Sequence, residues 1–434
     1  MSNQIKGSTA NSLILRRRVL PVLFGTLLID MVSFGMVFPI IPILFTDPAS
    51  PSFLLHGYST EMRLLLAGAI TAVWGIAQFF AAPILGELSD VHGRKKLLLF
   101  GVGVVGVSQF LFGLGISVAS VMMLFLARAI AGIAAGNVGI AQAAIADITE
   151  PKDRAKNFGL IGASLGLGII IGPLISGWLS GAFENTALPF FVGGILGILN
   201  VALVFFLLPE TNTQPKAASS FTLGKSIRNI RAAFSDADAR RPYLSSFLYF
   251  SGLYTFTTAF GIFLVQRFGF SESETGTAFA AVGACTAFTQ IVILRVLARR
   301  YSEMVMLKYS LPMVAGFTAL SAFMPNTALF LAFIPLIAVP HAISQASIPS
   351  LISRSVSPER QGTALGINAS LLALASTLGP LLMGLASGIV SLHAAFVIGA
   401  ILMLSAWSVL YLDFSQRRAH RGMSPTPDVT TRRR

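Results

Sequence analysis

The chain has 434 residues, 54% of them hydrophobic and only 11% charged, and its mean hydropathy is +0.76. Soluble globular proteins carry about 25% charged residues, so this composition excludes a soluble surface and points to one that faces lipid. The net charge of +13 is spread over short segments between apolar runs, which argues against nucleic acid as a partner and for loops that hold positive charge on one side of a membrane.

Apolar runs of about 20 residues, long enough to cross a bilayer, recur along the whole chain. The first six predicted helices fall at 19–45, 63–86, 97–117, 121–145, 158–181 and 188–208, and the second six at 243–265, 276–296, 304–323, 328–350, 362–387 and 394–412. Backbone groups in lipid must bond within their own segment, so such runs are helices and not open strands. The expected architecture is an all-α membrane protein with 12 transmembrane helices in two six-helix bundles, 19–208 and 243–412. Residues 1–18 read as a cytoplasmic tail, because the apolar run after them is too long for a signal-peptide core. Residues 209–242 read as a cytoplasmic central loop, in which Phe221 to Phe234 forms either an amphipathic helix on the membrane surface or a solvated linker. The Arg-, Pro- and Thr-rich tail 413–434 reads as disordered.

Lys and Arg set the orientation. With both termini inside, the inner segments collect Arg16 to Arg18, Arg94 to Lys96, Lys152, Arg154, Lys216, Lys225, Arg240, Arg299, Arg354, Arg360 and the C-terminal arginines, while the outer side keeps Arg63 and Arg267. A helix count of opposite phase destroys this asymmetry. The halves also repeat. Asp153-Arg154, Ala163-Ser164-Leu165 and Gly172-Pro173-Leu174 return about 206 residues later as Glu359-Arg360, Ala369-Ser370-Leu371 and Gly379-Pro380-Leu381. Such repeats build the site of many secondary transporters at the interface between halves.

Three enzyme-like motifs lose their meaning in context. Gly101, Gly103 and Gly106 match a dinucleotide fingerprint, and Gly162, Ser164 and Gly166 a nucleophile elbow, but both lie in apolar helices with no strand before them. The glycines more naturally let helices approach. Gly224-Lys225-Ser226 resembles the end of a P-loop, but its first glycine is replaced by Ser219. No catalytic constellation survives, the five histidines have no metal-ligand spacing, and the lone Cys285 excludes a disulfide framework.

Charges inside the bilayer are costly and default to function. Asp30 lies mid-way along the first predicted helix and Arg128 in the fourth. Arg128, Gly132 and Gly136 share a face that small residues mark as a helix contact. The arginine therefore points into protein and needs a partner. Asp30 is the expected one, because no other acid lies as deep. Burial and a neighbouring arginine act on a carboxylate in opposite senses, so separating the pair would let a proton be taken up on one side and released on the other. A static pair locking the two helices is the alternative. Between the second and third helices, Gly86, Asp90, Gly93 and Arg94 suggest a cytoplasmic gate, with Gly93 making the turn and Asp90 accepting from Arg94 or from a helix N-terminus. The alternative is a plain basic loop. Gly168, Gly172 and Pro173 mark the fifth helix as closely packed and kinked. Gln78, Asn137, Gln142, Asn200, Gln290, His341 and Gln345 are polar residues within spans that either line a cavity or bind helices together.

With these motifs in view the chain resembles a known family. GELSDVHGRKK resembles the signature between helices 2 and 3 of the major facilitator superfamily, LFLARAIAGIAAG its helix 4 signature for proton-coupled members, and GLGIIIGPLISG the helix 5 signature of its drug:proton antiporters. DMVSFGMVFPIIP, AIADITEPKDRAKNFG and FFLLPET are similar to the tetracycline-efflux branch. The resemblance covers 19–412 and implies pseudo-symmetric bundles, a central cavity and rocker-type alternating access. It implies proton-coupled efflux of small organic molecules or drugs by a monomer in the cell membrane, with the proton as coupling ion and no other cofactor. It assigns Asp90 and Arg94 to the cytoplasmic gate, Arg128 to the proton relay, and Gly172 with Pro173 to the antiport helix. A facilitator or symporter on the same fold, or a non-transporting receptor, is the competing expectation. Three departures stand out: Val91 where the family signature has a basic residue, a degenerate second gate motif around Leu297 to Lys308, and Ser108, Thr286 and Pro312 where tetracycline exporters hold the metal–drug complex.

Overall fold

The computed structural model describes residues 2–149, 154–212, 224–236, 239–357 and 360–420. Twelve helices among them are long and apolar enough to cross a membrane. They are α1 (Val19–Thr46), α2 (Thr60–His92), α3 (Arg94–Ser117), α4 (Val121–Ile148), α5 (Ile161–Phe183) and α6 (Leu188–Leu207) in one half. The other half holds α7 (Arg240–Phe268), α8 (Glu272–Leu297), α9 (Glu303–Ser321), α10 (Thr327–Arg354), α11 (Gln361–Ile389) and α12 (Leu392–Tyr411). All twelve expected spans are found. Several run past their apolar stretch because capped, charged ends sit comfortably at an interface. Thus α2 starts behind Ser59, whose hydroxyl accepts from the Met62 amide, and carries Glu87 and Asp90 in its last turns.

Two boundaries differ from expectation. The first helix is continuous from Ser2 to Gly35, so the break expected at residue 18 falls inside it. The last runs from Leu392 to His420, so the tail expected to be disordered from 413 begins as helix. Residues 421–434 lie outside the described residues.

The bundles share a core at one end only. One apolar cluster joins Val32 to Phe45, Leu64, Ile70, Phe112 and Phe190 of the first bundle to residues throughout the second. The opposite half of the first bundle has its own core, from Val19 and Leu23 through Leu98 and Ile145 to Val204. Contacts between bundles follow the same division. At the far end, away from the termini, a Cβ on Gly68 of α2 would lie 3.1 Å from the Gly384 Cα of α11, and one on Gly276 of α8 would lie 3.2 Å from the Gly177 Cα of α5. Toward the termini, Gly86, Gly162, Gly166, Gly362 and Gly366 face open space. The molecule is thus closed at the far end and open at the end that bears both termini.

A short helix, Lys225–Ser235, lies in that opening. Lys225 Nζ pairs with Glu87 Oε1 at 2.5 Å, the Ser226 hydroxyl donates to the Phe79 carbonyl, and Asn229 Nδ2 donates to Ser370 Oγ at 3.0 Å. Asp236, just beyond the helix, pairs with Arg360 Nη2 at 2.6 Å. The expected amphipathic helix is therefore present, but it bridges α2 and α11: Ser226 and Ala233 are buried while Ile227 and Phe234 are exposed. Phe221 lies outside the described residues.

Candidate functional site

Asp30 is buried at 6% exposure in α1, and it is not paired with Arg128. Asn137 Nδ2 of α4 donates to its Oδ2 at 2.7 Å, and Asn200 Nδ2 of α6 donates to its Oδ1 at 3.2 Å and to the Thr26 carbonyl at 3.1 Å. The Oδ1 atoms of Asn137 and Asn200 are buried and have no partner among the described residues. Two expected polar residues therefore hold the carboxylate instead of lining a cavity.

The glycine pattern explains how Asn137 arrives there. Helix α4 is interrupted after Ala134, and Asn137 opens its second segment. A Cβ on Gly101 of α3 would strike the Asn137 amide, lying 2.7 Å from its Cγ. Gly106 packs on Gly197 of α6, 3.3 Å from Cα to Cβ position. The fingerprint-like glycines thus do let helices approach, and Gly101 clears the space for the amide that bonds Asp30. Gly101→Ala is expected to push that amide off the carboxylate. Losing one hydrogen bond to a charged group costs about 1.5–3 kcal/mol, read as a lower melting temperature for the purified variant, with Gly103→Ala, whose Cβ would meet nothing closer than 3.8 Å, as the control.

Arg128 is 5% exposed. Its face does make the helix contact expected of it, but with α2: a Cβ on Gly132 would lie 2.6 Å from the Ala77 Cβ, and one on Gly136 3.0 Å from Leu85. That rotation carries Arg128 over the Trp74 ring, 5.9 Å from its centroid, and away from Asp30. Among the described residues it makes no ion pair, and its buried Nε has no hydrogen-bond partner. It borders a pocket between the bundles formed by α1, α2, α4 and α7, whose walls include Phe34, Phe38, Pro42 and Thr71.

Asp90, Gly93 and Arg94 gather at one turn, with partners that sequence reading missed. Gly93 has φ +96°, a left-handed conformation that suits glycine, and it ends α2 and starts α3. Arg94 Nη1 pairs with Asp90 Oδ1 at 2.5 Å and donates to Ser89 Oγ at 2.7 Å, while its Nε pairs with Asp147 Oδ2 of α4 at 3.1 Å. Glu210 caps α3, accepting from the Arg94 and Lys95 amides at 2.8 and 3.2 Å. A carboxylate suits the orphan donors of a helix N-terminus, and Gly93 offers no side chain to do the same work. Asp147 and Glu210 sit in two motifs that carry the family resemblance, AIADITEPKD and FFLLPET. Acids flanking a basic turn at span ends are the signal that could have found them. The partners named here lie in the first bundle and at the start of the loop that follows it, and Gly86 faces open space.

The remaining residues divide. Gly168 and Gly172 of α5 press on α1 at Met31 to Gly35, the turn after Asp30, and Pro173 touches both Gly35 and Gly276. In the second bundle Gln290 Nε2 donates to Gln345 Oε1 at 3.1 Å, from a π-helical turn at Thr289–Ile293. His341 Nδ1 lies 2.6 Å from the hydroxyl of the buried Tyr249. Gln78 is half-buried and Gln142 exposed. Gln109, not singled out beforehand, is buried and donates to the Ser33 carbonyl at 2.9 Å.

The family model described as Major Facilitator Superfamily matches residues 23–336 and 242–431. Multidrug resistance protein 1 of Bacillus subtilis is 28% identical over 368 residues, 84% of this chain and 89% of that one. Tetracycline resistance protein, class C, of Escherichia coli is 29% identical over 371 residues, 83% and 87% of the two chains. Among solved structures, the human organic anion transporter MFSD10 (TETRAN) superposes with a TM-score of 0.70 at 25% identity, covering 91% of this chain and 99% of that one.

Proposed function

Because the chain belongs to the major facilitator superfamily, a family of transporters, we propose that it exports small organic molecules in exchange for protons, with Asp30 as the proton site. The drug and tetracycline resistance relatives support export. The observation that carries proton coupling is the setting of Asp30: buried, with no cation beside it among the described residues, and held by two amides whose buried oxygens have no partner among them. An isolated carboxylate is costly to bury in its charged form. As a neutral acid it needs an acceptor for its O–H, and turning the Asn137 amide, whose Nδ2 bonds Asp30 alone among the described residues, presents an Oδ1 to it. The site can therefore satisfy Asp30 in both protonation states.

The distribution of lysines and arginines supports a cytoplasmic open end and cytoplasmic termini; on this reading the protein loads substrate from inside and works as a monomer in the cell membrane. Closing that end would bring the second bundle against Gly86 and the Asp90–Arg94–Asp147 cluster, which then serves as the cytoplasmic gate. A tetracycline–metal substrate is disfavoured, since Ser108 is buried in α3 with its hydroxyl bonded to the Val105 carbonyl at 2.7 Å.

The test is flux from purified protein in liposomes that hold a pH-sensitive dye, with a quinolone or a flat aromatic anion as substrate. Antiport predicts proton movement that starts only when substrate is added, in the direction opposite to it. Solute movement with no proton flux would make the protein a facilitator. If neither moves across a broad panel of drugs and metabolites, the receptor reading takes its place.

A further inference from the structure

We infer that Arg128 is the docking point for an anionic group on the transported molecule, and that the substrate class is a small aromatic carboxylate or sulfonate. The inference rests on the reading of the chain as a transporter and is independent of proton coupling.

Arg128 is a buried guanidinium with no counter-charge beside it among the described residues. Its Nε is buried and unpartnered among the described residues, and its charge rests against the face of Trp74. The acid that lies deepest, Asp30, is occupied by Asn137 and Asn200. The other acids described in the first bundle's spans lie toward helix ends: Glu61 opens α2, and Glu87, Asp90 and Asp147 sit at the terminal end, where Lys225 and Arg94 bind them. Nor do the pocket's hydroxyls turn toward Arg128. Those of Thr71, Thr257 and Thr258 donate to the Ala67, Leu253 and Tyr254 carbonyls at 3.0, 2.9 and 2.8 Å.

An uncompensated buried cation is expensive to maintain, and an arginine cannot shed its charge. The planar fork of a guanidinium matches a carboxylate or sulfonate, whose oxygens can accept from it in pairs. The rest of the pocket says what the anion is attached to. Phe34 lies tilted at 4.8 Å from Trp74 and edge-on at 5.2 Å to Phe38, and Phe38 stacks at 5.4 Å on Phe279 of α8. Phe34 and Phe38 line the pocket beside Arg128, with Trp74 and Phe279 packed behind them, and Thr257 and Thr258 complete it from the other bundle. A flat ring system would lie along Phe34 and Phe38 with its anionic group on Arg128. Since α1, α2 and α4 meet α7 here, such a ligand touches both bundles, which is where a transported molecule must sit to couple to their rocking.

The experiment measures equilibrium binding to the purified full chain in detergent, with no proton gradient, by titration calorimetry. Three probes share one ring system: 2-naphthoate, 2-naphthamide and 2-naphthylmethylammonium. Wild type is expected to bind the carboxylate about 10- to 100-fold more tightly than the amide and the ammonium most weakly. Arg128→Gln is expected to bind carboxylate and amide alike. Arg128→Lys keeps the charge without the fork, folds if the glutamine variant does not, and is expected to retain only part of the preference. Equal affinity for the three probes in wild type, no binding of naphthoate, or a carboxylate preference that survives in both variants would overturn the inference. Proton flux is not read in this assay, so antiport can fail while anion binding stands, and the reverse.

Discussion

Asp30→Asn is expected to abolish substrate-driven proton movement and to leave the protein folded and able to bind. The change removes the titrating group and almost nothing else. Asparagine has the shape of aspartate, and its oxygen can keep one of the two bonds now made by Asn137 at 2.7 Å and Asn200 at 3.2 Å. Its new NH2 would face the NH2 of the other amide. That conflict resolves by turning Asn137, whose Nδ2 bonds Asp30 alone among the described residues and whose buried Oδ1 has no partner to lose, while Asn200 keeps its bond to the Thr26 carbonyl. Melting in detergent should therefore shift by no more than about 1 kcal/mol, the net worth of one hydrogen bond. In dye-loaded liposomes the proton signal on adding substrate should fall to background. Exchange of labelled substrate across a membrane without a pH gradient, which needs no net proton transfer, should persist. Wild-type proton flux in this variant would move the proton site elsewhere. Asp30→Leu supplies the contrast: it leaves both amide donors without the carboxylate and is expected to destabilise the bundle at the same site.

The sequence picks out the charged residues of this site and the two asparagines, but pairs Asp30 with Arg128 and not with Asn137 and Asn200, for a definable reason. A charge in an apolar run is conspicuous, so Asp30 and Arg128 stand out at once, and the spacing of Arg128, Gly132 and Gly136 correctly marks a face in contact with another helix. Which helix that face meets depends on rotation about the α4 axis. The break after Ala134 then sets Asn137 on a different course from the face before it. Neither has a signature in hydrophobic period. The glycines behave the same way: close approach was legible, whereas the object approached at Gly101, a side-chain amide, was not. Spans and topology are legible because the demand for internal hydrogen bonding in lipid leaves the chain one choice. The Lys225–Ser235 helix is legible as amphipathic, but its place across α2 and α11 depends on the distance between the bundles, which changes with conformation and is not written in its own residues.

Within the first bundle α5 presses on α1 beside Asp30, and Gly172→Ala is expected to disturb that contact severely. A Cβ on Gly172 would collide with the Val32 carbonyl and lie 2.9 Å from the Gly35 Cα. Both are backbone atoms of α1, so no side chain can swing aside. The neighbourhood is equally tight from the other helix, where a Cβ on Gly35 would lie 2.8 Å from Pro173 Cδ. Hydroxyl bonds pin the two helices on either side of the contact, Ser164 to the Phe24 carbonyl at 3.1 Å and Ser176 to the Met36 carbonyl at 2.8 Å. The methyl must therefore be accommodated by strain or by parting the helices, at a cost toward the upper end of the roughly 1–3 kcal/mol of overpacking. Parting them shifts the turn next to Asp30 and loosens its amide bonds, so transport should fall further than stability does. Gly162→Ala is the control on the same helix. Its Cβ would meet nothing within 4 Å, and replacing a helical glycine by alanine is worth up to about 1 kcal/mol of stability. Thermal melting should thus move in opposite directions for the two variants. Equal melting would mean that α1 and α5 do not meet at Gly172, and the proposed link from α5 to Asp30 would go with that contact.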